Sequence, residues 1–186
     1  RGILSNDLYV DMDLKNCHPV ILLEILPKSI QTTFLKKYIN NRDQFINDLI
    51  QLNPEKSYND IKSIILKSIN NGNSINDTGV PNINKVKPTD DFLNFHYEMK
   101  IIRSYLCEKY PDIYENRKQD QLEKQKNNSN HILNIEGSVI SSVLNKYENE
   151  YLQKIIQYLK DEKLIKNNLV LCFDGLMIEK HILDKR

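Results

Sequence analysis

Apolar positions along this chain recur at two periods. From about Ser29 to Leu52, Phe34, Leu35, Tyr38, Ile39, Phe45, Ile46 and Leu49 fall at helical spacing, and Asn40-Asn41 marks a break between two helices. Ser57-x-x-Asp60 signals an N-cap for a helix carrying Ile61, Ile64, Ile65, Leu66 and Ile69, and Asn70-Asn71-Gly72 ends it. Asp90 or Asp91 is expected to cap a long helix through Phe92, Phe95, Met99, Ile102, Tyr105 and Leu106, stopped by Pro111. A second long helix carries Val139, Val143, Leu144, Tyr147, Leu152, Ile155, Ile156 and Leu159. A short one follows Pro19, from Val20 to Leu26, and Pro27 stops it.

Strand-like sequence lies near the two ends. Leu8 to Leu14 alternates loosely. Leu169 to Phe173 and Leu176 to Glu179 flank Asp174-Gly175, a favoured hairpin turn pair, and the nearly continuous apolar run of the first arm predicts a buried, central hairpin. Residues 73–90, polar and punctuated by Gly79, Pro81 and Pro88, read as a loop long enough to be mobile, and residues 112–130 as a charged surface connection. Three strands against many helices predict an α+β fold, and no internal repeat is visible.

Composition narrows the function classes. With 186 residues and 40% apolar content the chain can bury one good core and a smaller appendage. Its net charge of +1 argues against a strongly basic polyanion binder, though a local groove stays open. Cys17, Cys107 and Cys172 stand far apart and read as free thiols in a reducing compartment. No apolar run approaches a membrane span and no leader pattern is present, so a soluble, intracellular protein without a membrane partner is expected. Richness in Asn, Ile, Lys and Tyr without Trp suggests an AT-rich genome, and the start at Arg1 suggests a piece of something longer.

Four stretches carry candidate chemistry. Asp13-Leu-Lys-Asn16-Cys-His18-Pro19 sets a carboxylate at the end of a strand and then turns into a helix. It reads either as a plain strand-to-helix turn or as a metal ligand with room for substrate beside it. Asp174, at the hairpin tip, reads likewise as turn chemistry or as an outward-pointing carboxylate. Together the two suit a pair of divalent cations about 4 Å apart, the arrangement for in-line phosphoryl transfer. Carboxylate oxygens favour Mg²⁺, with Mn²⁺ as a substitute. Asp11 shares a strand face with Asp13 and is open as a third metal carboxylate, a register alternative or, the favoured reading, a supporting residue. Lys62 lies eight residues before Asn70, about 12 Å along one helix face: taken alone it reads as a solvated lysine on an amphipathic helix, and the alternative is a triphosphate contact that could place the sugar and base near Asn70 to Gly72. Asn134, Glu136 and Gly137 open the second long helix, as a helix start or as a contact to a nucleic-acid minor groove.

In this order the stretches resemble the motifs of polymerases with a family-A or family-B type palm. Asp13-x-x-Asn16-x-His18-Pro19-x-Ile21-Leu22 looks like motif A, Lys62 with Asn70 to Gly72 like motif B, and Phe173-Asp174-Gly175 like the motif C hairpin. Glu136-Gly137 sits where family-A enzymes carry Gln-Gly. The nearest group is the divergent family-A-like DNA polymerases of transposons and viruses, often joined to a superfamily 3 helicase.

The resemblance implies template-directed nucleotidyl transfer in a viral or mobile-element replication setting, on a primer–template and nucleoside triphosphates. Asp13 and Asp174 would bind two Mg²⁺ ions, and Lys62 would neutralise the incoming triphosphate. His18 would occupy the gate that tells deoxyribose from ribose, with Asn16 buttressing the turn. Asn70, Asn71 and Gly72 would border the nascent base pair, and Asn134, Glu136 and Gly137 would touch the primer–template. It also implies palm at 1–28, helical fingers at 29–130 and palm again at 131–186. The chain departs from the family at Tyr58, where an Arg is expected, at Asn70, where an aromatic is expected, and at Gly175, where a Glu is expected. The rival readings are a two-metal nuclease, with His181 to activate water, and a non-catalytic interaction module derived from a polymerase.

Overall fold

The computed structural model describes residues 9–72, 86–165, 169–172 and 175–180. Among them the chain is α+β, with seven helices and one three-stranded antiparallel sheet. The elements run β1 (Tyr9–Asp13), α1 (Cys17–Ile25), α2 (Thr33–Asn40), α3 (Arg42–Leu52), α4 (Tyr58–Ile69), α5 (Asp90–Lys109), α6 (Pro111–Asn127), α7 (Ile135–Asp161), β2 (Leu169–Cys172) and β3 (Gly175–Glu179). No described helix is long and apolar enough to cross a membrane. The chain divides into two compact units, Arg1–Ile21 with Leu144–Arg186 and Leu22–Val143.

The helical unit is built on α5. Tyr38, Phe45, Phe92 and Phe95 form an aromatic cluster with ring centroids 5.4–6.3 Å apart, in mostly tilted and edge-on pairings. Two charged residues of α5 are buried beside this core, and each meets a helix end. Glu98 Oε2 accepts hydrogen bonds from the backbone N–H groups of Phe34 and Leu35, both at 2.9 Å, and so caps the N-terminus of α2. Arg103 Nη1 donates to the Ser68 carbonyl at 2.6 Å, at the C-terminus of α4. An anion at a helix N-terminus and a cation at a C-terminus each complement the helix dipole and satisfy backbone groups that the helix leaves unpaired.

The capping box of α4 forms as the sequence predicts: Asp60 N–H donates to Ser57 Oγ at 3.2 Å and Ser57 N–H to Asp60 Oδ2 at 2.9 Å. Ser57→Ala is expected to lower stability by about 1 kcal/mol, read as a drop of roughly 2–4 °C in melting temperature. The Ser57 hydroxyl and then its backbone N–H hold the Asp60 carboxyl below its ordinary value. The box therefore contributes fully above the ordinary carboxylate range and loses its effect as pH falls through the depressed folded value. Equal Ser57→Ala effects at neutral and strongly acid pH would contradict this.

Several expectations change. The cap of α5 is Thr89, whose hydroxyl accepts from Phe92 N–H at 3.2 Å, with Asp90 and Asp91 in the first turn. Residues 111–127, expected within a charged surface connection, form helix α6. Pro111 both follows α5 and opens α6, where its missing N–H is harmless. Gln121 is the one residue of α6 classed as buried, so hydrophobic periodicity had almost nothing to report there; Glu115–Lys118 and Arg117–Asp120 pairs lie along the exposed side. Loop residues 73–85 lie outside the described residues.

In the other unit the sheet order is β1-β3-β2, which puts β3 at its centre. Leu176 and Ile178 of β3 pack with Leu152, Ile156 and Leu159 of α7 and with Ile165. The sequence predicts both hairpin arms in the core, but β2 is an edge strand of this sheet: Val170 is 51% and Leu171 50% exposed, while Leu176, Met177 and Ile178 are buried. At the end of α7, Lys163 adopts φ 55°, and Leu164 N–H reaches back to the Leu159 carbonyl at 2.9 Å, a left-handed C-terminal cap.

Candidate active site

The strand-to-helix turn after β1 depends on one residue. Asn16 has φ 54°, a left-handed conformation that asparagine tolerates better than most side chains, and its carbonyl accepts from Val20 N–H at 3.0 Å. Its backbone thus lets β1 end and α1 begin within a few residues. His18 follows in the first turn of α1, and its Nε2 lies 2.8 Å from Glu148 Oε2 of α7.

Asp13 pairs directly with Gly175 across β1 and β3, and Asp11 with Met177. Residues two apart share a strand face, so Asp11 and Asp13 present their side chains on one side of the sheet, and both are exposed. Asp174 and Phe173 lie outside the described residues; in the sequence Asp174 immediately precedes Gly175, the register partner of Asp13. Exposed carboxylate oxygens at a strand end are hard donors that suit Mg²⁺, which keeps several of its waters. Among the described residues no group of three or more His, Cys, Asp or Glu side chains is placed to hold a metal ion. His181 also lies outside the described residues.

Gly175 belongs to β3 rather than to the turn, because Cys172 pairs with it and closes the hairpin one residue earlier than the Asp-Gly signal predicts. A Cβ there would lie 2.3 Å from Asp13 Oδ1 and 2.5 Å from the Met12 carbonyl oxygen. The close approach of β3 to β1 therefore favours glycine at this position. Gly175→Ala is expected to displace Asp13 and to lower stability by about 2 kcal/mol. Denaturant unfolding checks it, and a change within 0.5 kcal/mol, taken here as roughly the scatter of neutral surface substitutions, would count against this packing.

The helical unit joins two further stretches singled out in the sequence. Helix α4 ends with Asn71 in the left-handed region, φ 56°, and Gly72 N–H returns to the Lys67 carbonyl at 2.6 Å. Asn134 meets this end from the start of α7: its Nδ2 donates to the Asn70 carbonyl at 3.0 Å, and its Oδ1 accepts from Asn71 Nδ2 at 3.2 Å. The same Oδ1 accepts from Gly137 N–H at 3.0 Å, so Asn134 is also the N-cap of α7. Gly137 is what permits the approach, since a Cβ there would lie 2.2 Å from the Asn70 carbonyl oxygen. Glu136 Oε2 lies 3.6 Å from Arg103 Nε. Gln121 of α6 completes the junction, its Nε2 donating to Ser138 Oγ at 2.7 Å and its Oε1 accepting from Asn134 N–H at 3.3 Å.

These bonds give the sequence-predicted residues structural work. Asn134 commits its amide to α4 and α7, and the asparagines after α4 are bound up in its C-cap. Lys62 lies half-buried on α4. Tyr58 donates to Asp43 Oδ1 at 2.7 Å and ties α4 to α3. Beside the junction a cleft of about 590 Å³ is lined by residues that include Asn71, Cys107, Glu108, Tyr114, Asn134 and Glu136. Burial first, and then the neighbouring Glu136, push the Cys107 thiol up to about 11, so it stands there as a protonated thiol and not as a nucleophile.

Glu98, Arg103, Gln121 and Glu148 escaped the sequence reading. Each is a polar residue within a helical stretch, and such residues read as solvated until a partner element is docked on them. Of these, Glu148 meets His18 of α1.

No family model matches the chain, and no solved structure matches it. A protein of Sputnik virophage, named as a putative helicase, is 28% identical over 183 residues, a match that takes in 96% of this chain and 22% of that protein. The chain thus spans about a fifth of the length of the curated relative it matches.

Proposed function

We propose that this chain carries the palm and fingers of a template-directed DNA polymerase, with Asp13 and Asp174 as its metal-binding carboxylates. The observation that carries the reading is the register of Asp13 with Gly175, the residue after Asp174. It sets Asp13, in the stretch that resembles motif A, opposite Gly175, the one described residue of the stretch that resembles motif C. Asp13 holds its carboxylate at a rigid strand end, Asp11 supports it from the same face, and the turn at Asn16 brings His18 to the helix start. Lys62 would neutralise the triphosphate. Two Mg²⁺ ions, when bound, supply charge stabilisation for attack of the primer 3′-hydroxyl and departure of pyrophosphate.

The relative's helicase name fits a replication setting and a helicase as fused or associated partner. It also favours a second reading, a non-catalytic segment of a helicase. No glycine in the chain is followed by lysine, so these 186 residues contain no P-loop of the kind an ATP-driven motor uses. Primer extension by the complete protein, with deoxynucleotides or ribonucleotides and Mg²⁺, separates the two. Extension that depends on Asp13 and Asp174 supports the polymerase. A folded, metal-replete protein that extends nothing supports the helicase segment.

A further inference from the structure

We infer that Glu148 is a positioning residue for His18 and, through it, for the choice between deoxyribose and ribose. This rests on the polymerase reading, in which His18 stands beside the sugar of the incoming nucleotide. Glu148 comes from the interior of α7, 130 residues away in sequence, and meets the imidazole Nε2 at 2.8 Å. The two side chains are 27% and 17% exposed, so water competes for this bond less than it does for a surface pair.

An ionised carboxylate only accepts hydrogen bonds. With Nε2 as the donor, the contact to Glu148 Oε2 restricts rotation of the ring about its bond to Cβ. A gate works by the position of its bulk, and an unanchored imidazole at a helix start would sample several rotamers. Anchored to Glu148, the ring holds one. Glu148 itself touches no substrate in this scheme; it acts by keeping His18 in place.

Two measurements test the inference. In ¹⁵N-labelled protein the His18 Nε2–H is expected to exchange slowly enough to be observed, and to vanish in Glu148→Ala while surviving in Glu148→Gln. In the complete protein, Glu148→Ala is expected to reduce the ratio of kcat/KM for dNTP over rNTP about tenfold, with Glu148→Gln restoring most of it. His18→Phe keeps a ring but removes the anchor, so it should lose a similar share of discrimination, and adding Glu148→Ala to it should change nothing further. That cycle guards against Glu148→Ala merely loosening the fold, because a packing defect would appear in both backgrounds. Dependable extension with an unchanged sugar ratio in Glu148→Ala overturns the inference and leaves the polymerase reading standing. No extension by the wild-type protein overturns both.

Discussion

On the proposed polymerase reading, Asp13→Asn is expected to reduce primer extension by the complete protein about a thousandfold or more, equivalent to ~4 kcal/mol of lost transition-state stabilisation. The substitution keeps the size of the side chain and removes its charge. Asp13 is exposed at the end of β1, so folding stability should move by less than about 1 kcal/mol. A large loss of activity with little loss of stability is the signature of a chemical role. Asp174→Asn should behave alike, since one carboxylate cannot hold two ions in place. Asp11→Asn, on the same face but opposite Met177, should lose only about tenfold. Steady-state extension rates beside thermal melts distinguish these cases. Wild-type rates in Asp13→Asn would remove the metal-site reading altogether.

Gly137→Ala should have the largest effect on stability, about 3 kcal/mol, in the helical unit. The added Cβ would lie 2.2 Å from the Asn70 carbonyl oxygen and 2.4 Å from Asn134 Nδ2. The first of these is backbone and cannot rotate away, so α7 must shift from the end of α4. That shift strains the Asn134 bonds to Asn70 and Gly137, adding unsatisfied polar groups to the overpacking. Since domains of this size are stable by only about 5–15 kcal/mol, the drop should be plain in a denaturant titration. If polymerase activity is present, it should fall with the melting temperature and recover on cooling, unlike the loss in Asp13→Asn. A Gly137→Ala protein as stable as wild type would mean that the two helix ends are not in contact.

Much of the α+β outline is legible in the residues themselves. The capping box at Ser57 and Asp60, the break at Asn41 and the terminator Asn70-Asn71-Gly72 are local devices, formed by residues within a few positions of one another. Local geometry is encoded locally, so they can be read without the fold. Helix α6 is hidden because periodicity reports only burial, and a helix whose one buried side chain is Gln121 has no apolar stripe to show. The β2 run misled for the opposite reason: apolar residues predict that burial is favourable, not which strand of a sheet obtains it.

The candidate site divides the same way. Residue type and spacing single out Asp13, Asn16 and His18, since a carboxylate, a left-handed turn and a helix start follow one another within six positions. Pairings with α5, α7 and β3 are different in kind. That Glu98 caps α2, that Arg103 closes α4, that Glu148 holds His18 and that Gly175 lies against Asp13 all join residues far apart in sequence. Alone, each is a charged or small residue with an ordinary solvated role. Docking of one element on another removes the competing water, and the same residue then becomes a cap, an anchor or a point of closest approach. Residue order alone shows most of the helices and strands and where a carboxylate could stand. Which polar groups are held follows from docking of the elements, because hydrogen bonds across 35 to 130 residues have no local precursor in the chain.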